Sequence, residues 1–212
     1  MNNPPHSLRG WTLFGFIAAL VVVMSALAVA AQPELVEGLR SAIRATARSS
    51  FVLFVVAFTA SAFAVLVPSA LSKSLVRERR FIGLAFAFSH LVHALLIYFY
   101  GQVNTEFWPG RTVANNIPGS TAYVFILLMA VTSFKGPARL IGPKAWKALH
   151  VTGMWVIVAV FTYSNFKRIP MSDWYVLPFG IACAAIAIRL VGKLAQANSR
   201  RQTAIRRAAV AS

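Results

Sequence analysis

Residues 77–101 read RERRFIGLAFAFSHLVHALLIYFYG and place two histidines inside an apolar run that follows a cluster of arginines. The run has about 20 residues, which is the length that a helix needs to cross the hydrocarbon core of a bilayer. His90 and His93 are separated by three positions, so they lie on one face of such a helix, one turn apart. An imidazole in hydrocarbon is costly unless it is hydrogen bonded or coordinated, which makes both residues functional candidates.

The rest of the chain is equally apolar. Of its 212 residues, 58% are hydrophobic and only 12% are charged, a composition that excludes an ordinary soluble domain. We therefore predict an all-α fold, a polytopic membrane protein built as a six-helix transmembrane bundle in a lipid bilayer. The predicted spans are residues 11–31, 51–71, 81–100, 120–134, 148–166 and 174–192.

The charge distribution indicates how the spans are oriented. The chain has 21 Lys and Arg against 5 Asp and Glu. These basic residues form short clusters between apolar runs and no basic face on a soluble surface, so nucleic acid is not expected as a partner. The loops before span three and after span four, and the C-terminal tail, carry most of them. The positive-inside rule therefore predicts that both termini are cytoplasmic.

The predicted organisation has three parts: a cytoplasmic N-terminus (residues 1–10), a six-span domain (11–194) and a basic cytoplasmic tail (195–212). Within the domain, residues 33–48 carry an arginine stripe and an apolar stripe, each with a spacing of four. This pattern predicts an interfacial helix on the outer membrane surface. The loop from residue 101 to 120 is rich in Gly, Pro and Asn and is predicted to be irregular.

A third histidine in the spans, His150, opens span five. At about 1.5 Å per residue, His93 lies roughly 20 Å beyond Arg80, whereas His150 lies close to the inner surface. The axial ligands of one haem approach from opposite faces of the ring, so His90 and His93 cannot both ligate one iron. Four interpretations remain open: haem coordination by spans three and five, packing through hydrogen bonds, a proton or ion relay, and a non-haem metal site. No carboxylate lies in any predicted span, which disfavours the last two.

Three segments together resemble the ferric reductase-like transmembrane family: RRFIGLAFAFSHLVHALLIYF in span three, VTSF at the end of span four and WKALH at the start of span five. Within this family the haem-binding membrane subunits of bacterial protein-methionine-sulfoxide reductase systems are the most similar. The resemblance implies a bacterial inner-membrane location and a six-helix bundle. It also implies haem b held between spans three and five, which carries electrons across the membrane.

Carried over by position, the resemblance makes His93 and His150 the iron ligands. Arg80 and Tyr163, at positions of the family pattern, and His90, an extra histidine one turn from His93, are further candidate haem-binding residues, and no catalytic residue is assigned. Tyr163 departs from the pattern, because the resembling subunits have a second span-five histidine there. A tyrosinate can ligate haem iron, and a neutral tyrosine can instead lie at the membrane interface. The chain would then hold one haem shared with His150, hold a five-coordinate haem on one histidine, or have lost haem.

The first functional hypothesis is a haem b protein that passes electrons from the cytoplasm or the quinone pool to an acceptor outside. The sequence has no GxGxxG fingerprint, so we expect no flavin or nicotinamide domain in it and a separate reductase or quinone as donor. Such a chain would be the electron-transfer subunit of an oxidoreductase, with a periplasmic acceptor protein. The alternatives are a non-catalytic anchor or assembly subunit and a small transporter. The transporter is disfavoured, because only Pro68 and Pro178 interrupt predicted spans and they show no repeat symmetry.

Overall fold

The structure is a computed structural model, and it describes residues 8–211. All regular secondary structure in that range is helical, which confirms the all-α prediction. The predicted N-terminal segment 1–10 falls largely outside the described residues. The six α-helices are α1 (Trp11–Ala30), α2 (Leu35–Leu66), α3 (Ala70–Val103), α4 (Val113–Val131), α5 (Lys135–Phe166) and α6 (Val176–Ala211), and two short 3-10 helices, Ile169–Met171 and Asp173–Tyr175, join α5 to α6.

All six α-helices are long and apolar enough to cross a membrane, with a mean hydropathy between 1.3 and 2.7 over their most apolar stretches. In α1, 20 residues give a length of about 30 Å, which matches the hydrocarbon core. Only Val21 and Ser25 of this helix are buried. A helix that is apolar on all sides and mostly exposed in the protein needs lipid around it. The chain is therefore a multi-pass membrane protein, as predicted.

The segment that we predicted as a separate interfacial helix is the first half of α2. Helix α2 continues without a break from Leu35 to Leu66, through the region in which the amphipathic stripe gives way to the apolar span. No Gly or Pro lies between Arg48 and Phe51 to end the helix, so nothing in the backbone favours a turn there.

The irregular loop predicted for residues 101–120 is shorter than expected, because α3 extends to Val103 and α4 begins at Val113.

The prediction that Pro68 and Pro178 interrupt spans was wrong. Pro68 lies between α2 and α3, and Pro178 is in the first turn of α6, where a proline removes no intrahelical hydrogen bond. The distinct break is in α5, where Gly142 adopts φ 73° and ψ 165° directly before Pro143. The positive φ is accessible to glycine, and the residue before a proline avoids the helical region. A short helical segment therefore precedes the predicted fifth span.

The helices contribute to two compact units. The first comprises the described part of residues 1–54 together with 80–160, and its buried side chains include Phe54, Phe86, Ile157 and Val158. The Phe54 and Phe86 rings lie 5.4 Å apart. The second comprises residues 55–79 and the described part of 161–212, and Phe58 is among its fully buried side chains. The three histidines of the predicted site all belong to the first unit.

Candidate functional site

His93 is held on α3 by two acceptors from α2. Its Nδ1 lies 3.1 Å from the Ile43 carbonyl oxygen and 3.0 Å from Thr46 Oγ1. A carbonyl oxygen can only accept, so Nδ1 must carry the proton, and Nε2 then has the lone pair. A hydrogen bond from Nδ1–H to a backbone carbonyl is the usual arrangement behind a metal-binding Nε2. His93 is therefore in the tautomer that an iron ligand needs.

The Thr46 hydroxyl is compatible with this assignment. Its oxygen lies 2.8 Å from the carbonyl oxygen of Ala42, one turn earlier, to which it donates its single proton. The hydroxyl oxygen is then left to accept from His93 Nδ1. Thr46 is completely buried, so water does not compete for these bonds. We missed this residue in the sequence because it belongs to the stretch predicted to lie on the membrane surface.

A cluster of three serines fixes α2 against α3 next to His93. Ser89 Oγ lies 2.9 Å from both Ser49 Oγ and Ser50 Oγ, and Ser50 and Ser89 are completely buried. Small hydroxyl side chains at a helix interface allow close approach and hydrogen bond across it, which is how helices associate in a membrane. Ser89 directly precedes His90 in the chain, so these bonds also set the rotation of the histidine-bearing turn of α3.

His90 faces aromatic rings. Its ring centroid lies 5.4 Å from that of Phe86, 5.4 Å from that of His93 and 4.9 Å from that of Tyr123 on α4. The Tyr123 hydroxyl is 3.4 Å from the His90 carbonyl oxygen, a long hydrogen bond. The two histidines predicted to share a face therefore do so, with His93 contacting α2 and His90 contacting α4.

His150 has a different set of contacts, at the end of α4. Its Nε2 lies 3.1 Å from Thr132 Oγ1, and that hydroxyl is 2.7 Å from the Leu128 carbonyl oxygen. Because Thr132 gives its proton to this carbonyl, Nε2 of His150 is the donor to Thr132. The ring also stacks on Trp146, with centroids 4.3 Å apart, and Trp146 Nε1 donates to the Thr132 carbonyl oxygen over 2.9 Å. In this conformation Nε2 of His150 is used within the protein.

Helix α4 gives the distance between the two histidine positions. Tyr123 contacts His90 and Thr132 contacts His150. These two residues are nine positions apart, which corresponds to roughly 13.5 Å along the helix axis. This spacing disfavours a single haem shared by His90 and His150. Within the described residues, no group of three or more His, Cys, Asp or Glu side chains is arranged to hold a metal ion.

Arg80 contacts aromatic rings, and Tyr163 is largely exposed. The Arg80 guanidinium is 5.5 Å from the Phe81 ring centroid and 5.8 Å from that of Phe134, both cation–π distances. Tyr163 is 51% exposed and belongs to the second unit, whereas the histidines belong to the first. An exposed ring on a membrane helix is typical of an interfacial tyrosine. The role of Tyr163 as a haem-binding residue stays a prediction.

The fold and these contacts define a multi-pass helical membrane protein with histidines oriented by buried hydroxyl groups. A family model described as ferric reductase like transmembrane component matches residues 44–161, which is more than half of the chain. The chain therefore belongs to the ferric reductase-like transmembrane family, as the sequence motifs indicated. No curated protein and no solved structure matches the chain. The matched range includes Thr46, all three span histidines and Thr132, and it ends before Tyr163.

Domains of this family commonly bind haem, and their presence indicates electron transfer in a membrane. The residues here fit a haem at one position. His93 has the required tautomer, a backbone acceptor on Nδ1 and an aromatic neighbour in His90. His150 fits only after its ring turns away from Thr132.

Proposed function

We propose that this chain is a haem b electron-transfer subunit, similar to the membrane subunits of bacterial methionine sulfoxide reductase systems. His93 Nε2 would be the axial ligand, and the Ile43 carbonyl and Thr46 hydroxyl would orient its ring. The haem would supply a reversible one-electron carrier within the bilayer. The observation that carries this proposal is the contact between His93 Nδ1 and the Ile43 carbonyl oxygen, because it requires a proton on Nδ1 and so puts the lone pair that an iron ligand needs on Nε2.

The protein's basic residues would favour docking of an electron donor on the inner side of the membrane. In the predicted orientation, Arg80 and the basic loop between α4 and α5 face the cytoplasm, and the two ends of the histidine-bearing helix α3 lie on opposite sides of the membrane. A positive inner surface attracts an anionic donor or a haem propionate. The donor would be a separate reductase or the quinone pool, and the acceptor would be a protein on the periplasmic side of a bacterial inner membrane.

The first test is the absorption spectrum of the purified protein in detergent, oxidised and then reduced with dithionite, with haem quantified as the pyridine complex. We expect a stoichiometry near one haem per chain. His93→Ala should lose haem, because the histidine whose Nδ1 contacts put the lone pair on Nε2 is removed. The matched variant His150→Ala should keep haem, since Nε2 of His150 is bonded to Thr132. Full haem content in His93→Ala would contradict the proposal.

A second function is favoured by the contacts of His150. Its donation to Thr132 and its stacking on Trp146 are complete packing interactions that need no cofactor. If His90 and His93 also act only in packing, the chain would be a non-catalytic anchor or assembly subunit. A colourless protein from haem-replete cells, together with a lower unfolding temperature in His93→Phe, which cannot form the bonds to Ile43 and Thr46, would support this function and exclude the first.

A further inference from the structure

Two arginines from different helices converge on one turn of α2 within the second unit. Arg189 of α6 donates from Nη1 to the carbonyl oxygen of Phe58 in a short hydrogen bond. Arg79 of α3 donates from Nη1 to Ser61 Oγ over 3.1 Å. Phe58 and Ser61 are three positions apart on α2 and therefore neighbours on its surface. The two guanidinium groups are thus brought together although they are 110 positions apart in the chain.

The position of Arg189 is fixed by close packing. Its guanidinium carbon lies 4.3 Å from the centroid of the Phe58 ring, which is completely buried. One turn later, a Cβ on Gly192 would lie 2.6 Å from Ala62 Cβ and 2.8 Å from Ala62 Cα, which is too close for any side chain. Gly192 therefore allows α6 to lie directly against α2. Arg189 is part of a packed interface and is not a loose surface side chain.

Two like charges at this place are unfavourable by themselves. Arg79 and Arg189 repel one another, and both are only partly accessible to solvent. An arginine on a membrane helix is costly and usually marks a functional position. The nearby carboxylate of Glu78 is within 3.2 Å of Arg77 Nε, and Lys193 adds another positive charge one turn beyond Arg189. The local excess of positive charge favours an anion.

Both arginines lie near the cytoplasmic ends of their predicted spans, and their partners Phe58 and Ser61 lie within about two turns of the end of α2 at Leu66, rather than at the middle of a span as the predicted bounds 51–71 would place them. Arg79 directly precedes the predicted span 81–100, and Arg189 lies three positions before the end of the predicted span 174–192. In the predicted orientation both of these span ends are cytoplasmic. Basic pockets between membrane helices on that side bind phosphate-containing headgroups, and the planar guanidinium group matches phosphate oxygens in pairs.

We propose that Arg79 and Arg189, supported by Ser61 and the Phe58 carbonyl, form a binding site for the phosphate of an anionic phospholipid headgroup in the inner leaflet. The site lies in the second unit and does not depend on haem binding. Its expected effect is to stabilise the packing of α6 on α2, because the lipid phosphate neutralises the two charges that this packing brings together.

The test uses the full-length protein, delipidated in a neutral detergent and titrated with short-chain phosphatidylglycerol while thermal unfolding is followed. Phosphatidylcholine and inorganic phosphate are titrated in parallel. We expect phosphatidylglycerol to raise the unfolding temperature and the other two to have little effect. Arg79→Gln and Arg189→Gln should each weaken the apparent affinity about fivefold, the effect of one basic residue near a membrane surface.

The matched control is Arg200→Gln, which removes the same charge from an exposed position on the C-terminal part of α6. Equal weakening in all three variants would show that the lipid responds only to net charge and would overturn the proposal. Stabilisation by inorganic phosphate to the same extent would assign the site to a free anion and would also overturn it. If Arg189→Gln fails to fold, Arg189→Lys replaces it. Unchanged affinity in both Arg79→Gln and Arg189→Lys would then refute the site.

Discussion

Replacement of Thr46 by valine removes one of the two acceptors that hold the His93 ring while the side chain keeps nearly the same shape. The Nδ1–H of His93 retains the Ile43 carbonyl oxygen at 3.1 Å, so the tautomer does not change. The valine methyl group would lie where the hydroxyl oxygen now lies, 3.0 Å from Nδ1. Since carbon contacts are optimal at about 3.5–4.0 Å, the ring must move by roughly 0.5 Å.

The expected change in haem binding follows from the loss of the hydrogen bond between His93 Nδ1 and Thr46 Oγ1. Polar contacts between membrane helices contribute about 0.6 kcal/mol on average and about 1.7 kcal/mol at most. In the haem-bound state that we propose, the lost contact should therefore speed haem dissociation by roughly threefold, and by no more than about twentyfold. A weaker acceptor on Nδ1 also makes Nε2 a poorer electron donor to iron, so the midpoint potential should rise.

The assay measures the transfer of haem from the purified protein to a scavenging apoprotein, together with a redox titration followed in the visible spectrum. Thr46→Ser is the matched variant, because it retains the hydroxyl group and should behave like the wild type. The argument would be refuted if Thr46→Val had the dissociation rate and potential of the wild type. Equal losses in the valine and serine variants would instead assign Thr46 to helix packing alone.

In a thermal unfolding assay, Gly153→Ala should destabilise the protein by about 1–3 kcal/mol, because its Cβ would overlap the Met129 side chain and contact Phe125 at 3.2 Å. The control Gly83→Ala has open space around its Cβ and should be neutral or slightly stabilising in the same assay. Tyr163→His should sharpen a low-spin haem spectrum if position 163 faces the iron, and an unchanged spectrum would place Tyr163 away from it. Ser89→Ala should lower the unfolding temperature, because it removes the common partner of two serine hydroxyl groups; an unchanged temperature would show that the cluster contributes no stability.

The sequence by itself determined the number of membrane-spanning helices and the family. Both depend on local properties: the length and hydropathy of each apolar run, and the spacing of histidines within one helix. For the same reason the shared face of His90 and His93 was predictable from their three-residue separation. The motif VTSF also contained Thr132, and WKALH contained Trp146 and His150, although nothing in the sequence showed that these three residues contact one another.

Only the tertiary structure decided which groups surround each histidine. Thr46 and Ile43 are about 50 positions from His93, and their contact depends on the rotation of α2 against α3, which buried serines fix. The continuity of α2 likewise overrode an amphipathic pattern that predicted a separate surface helix. Arg79 of α3 and Arg189 of α6 come together because both contact α2, which precedes both of them in the chain. Such contacts come from long-range packing, which single-helix periodicity does not determine.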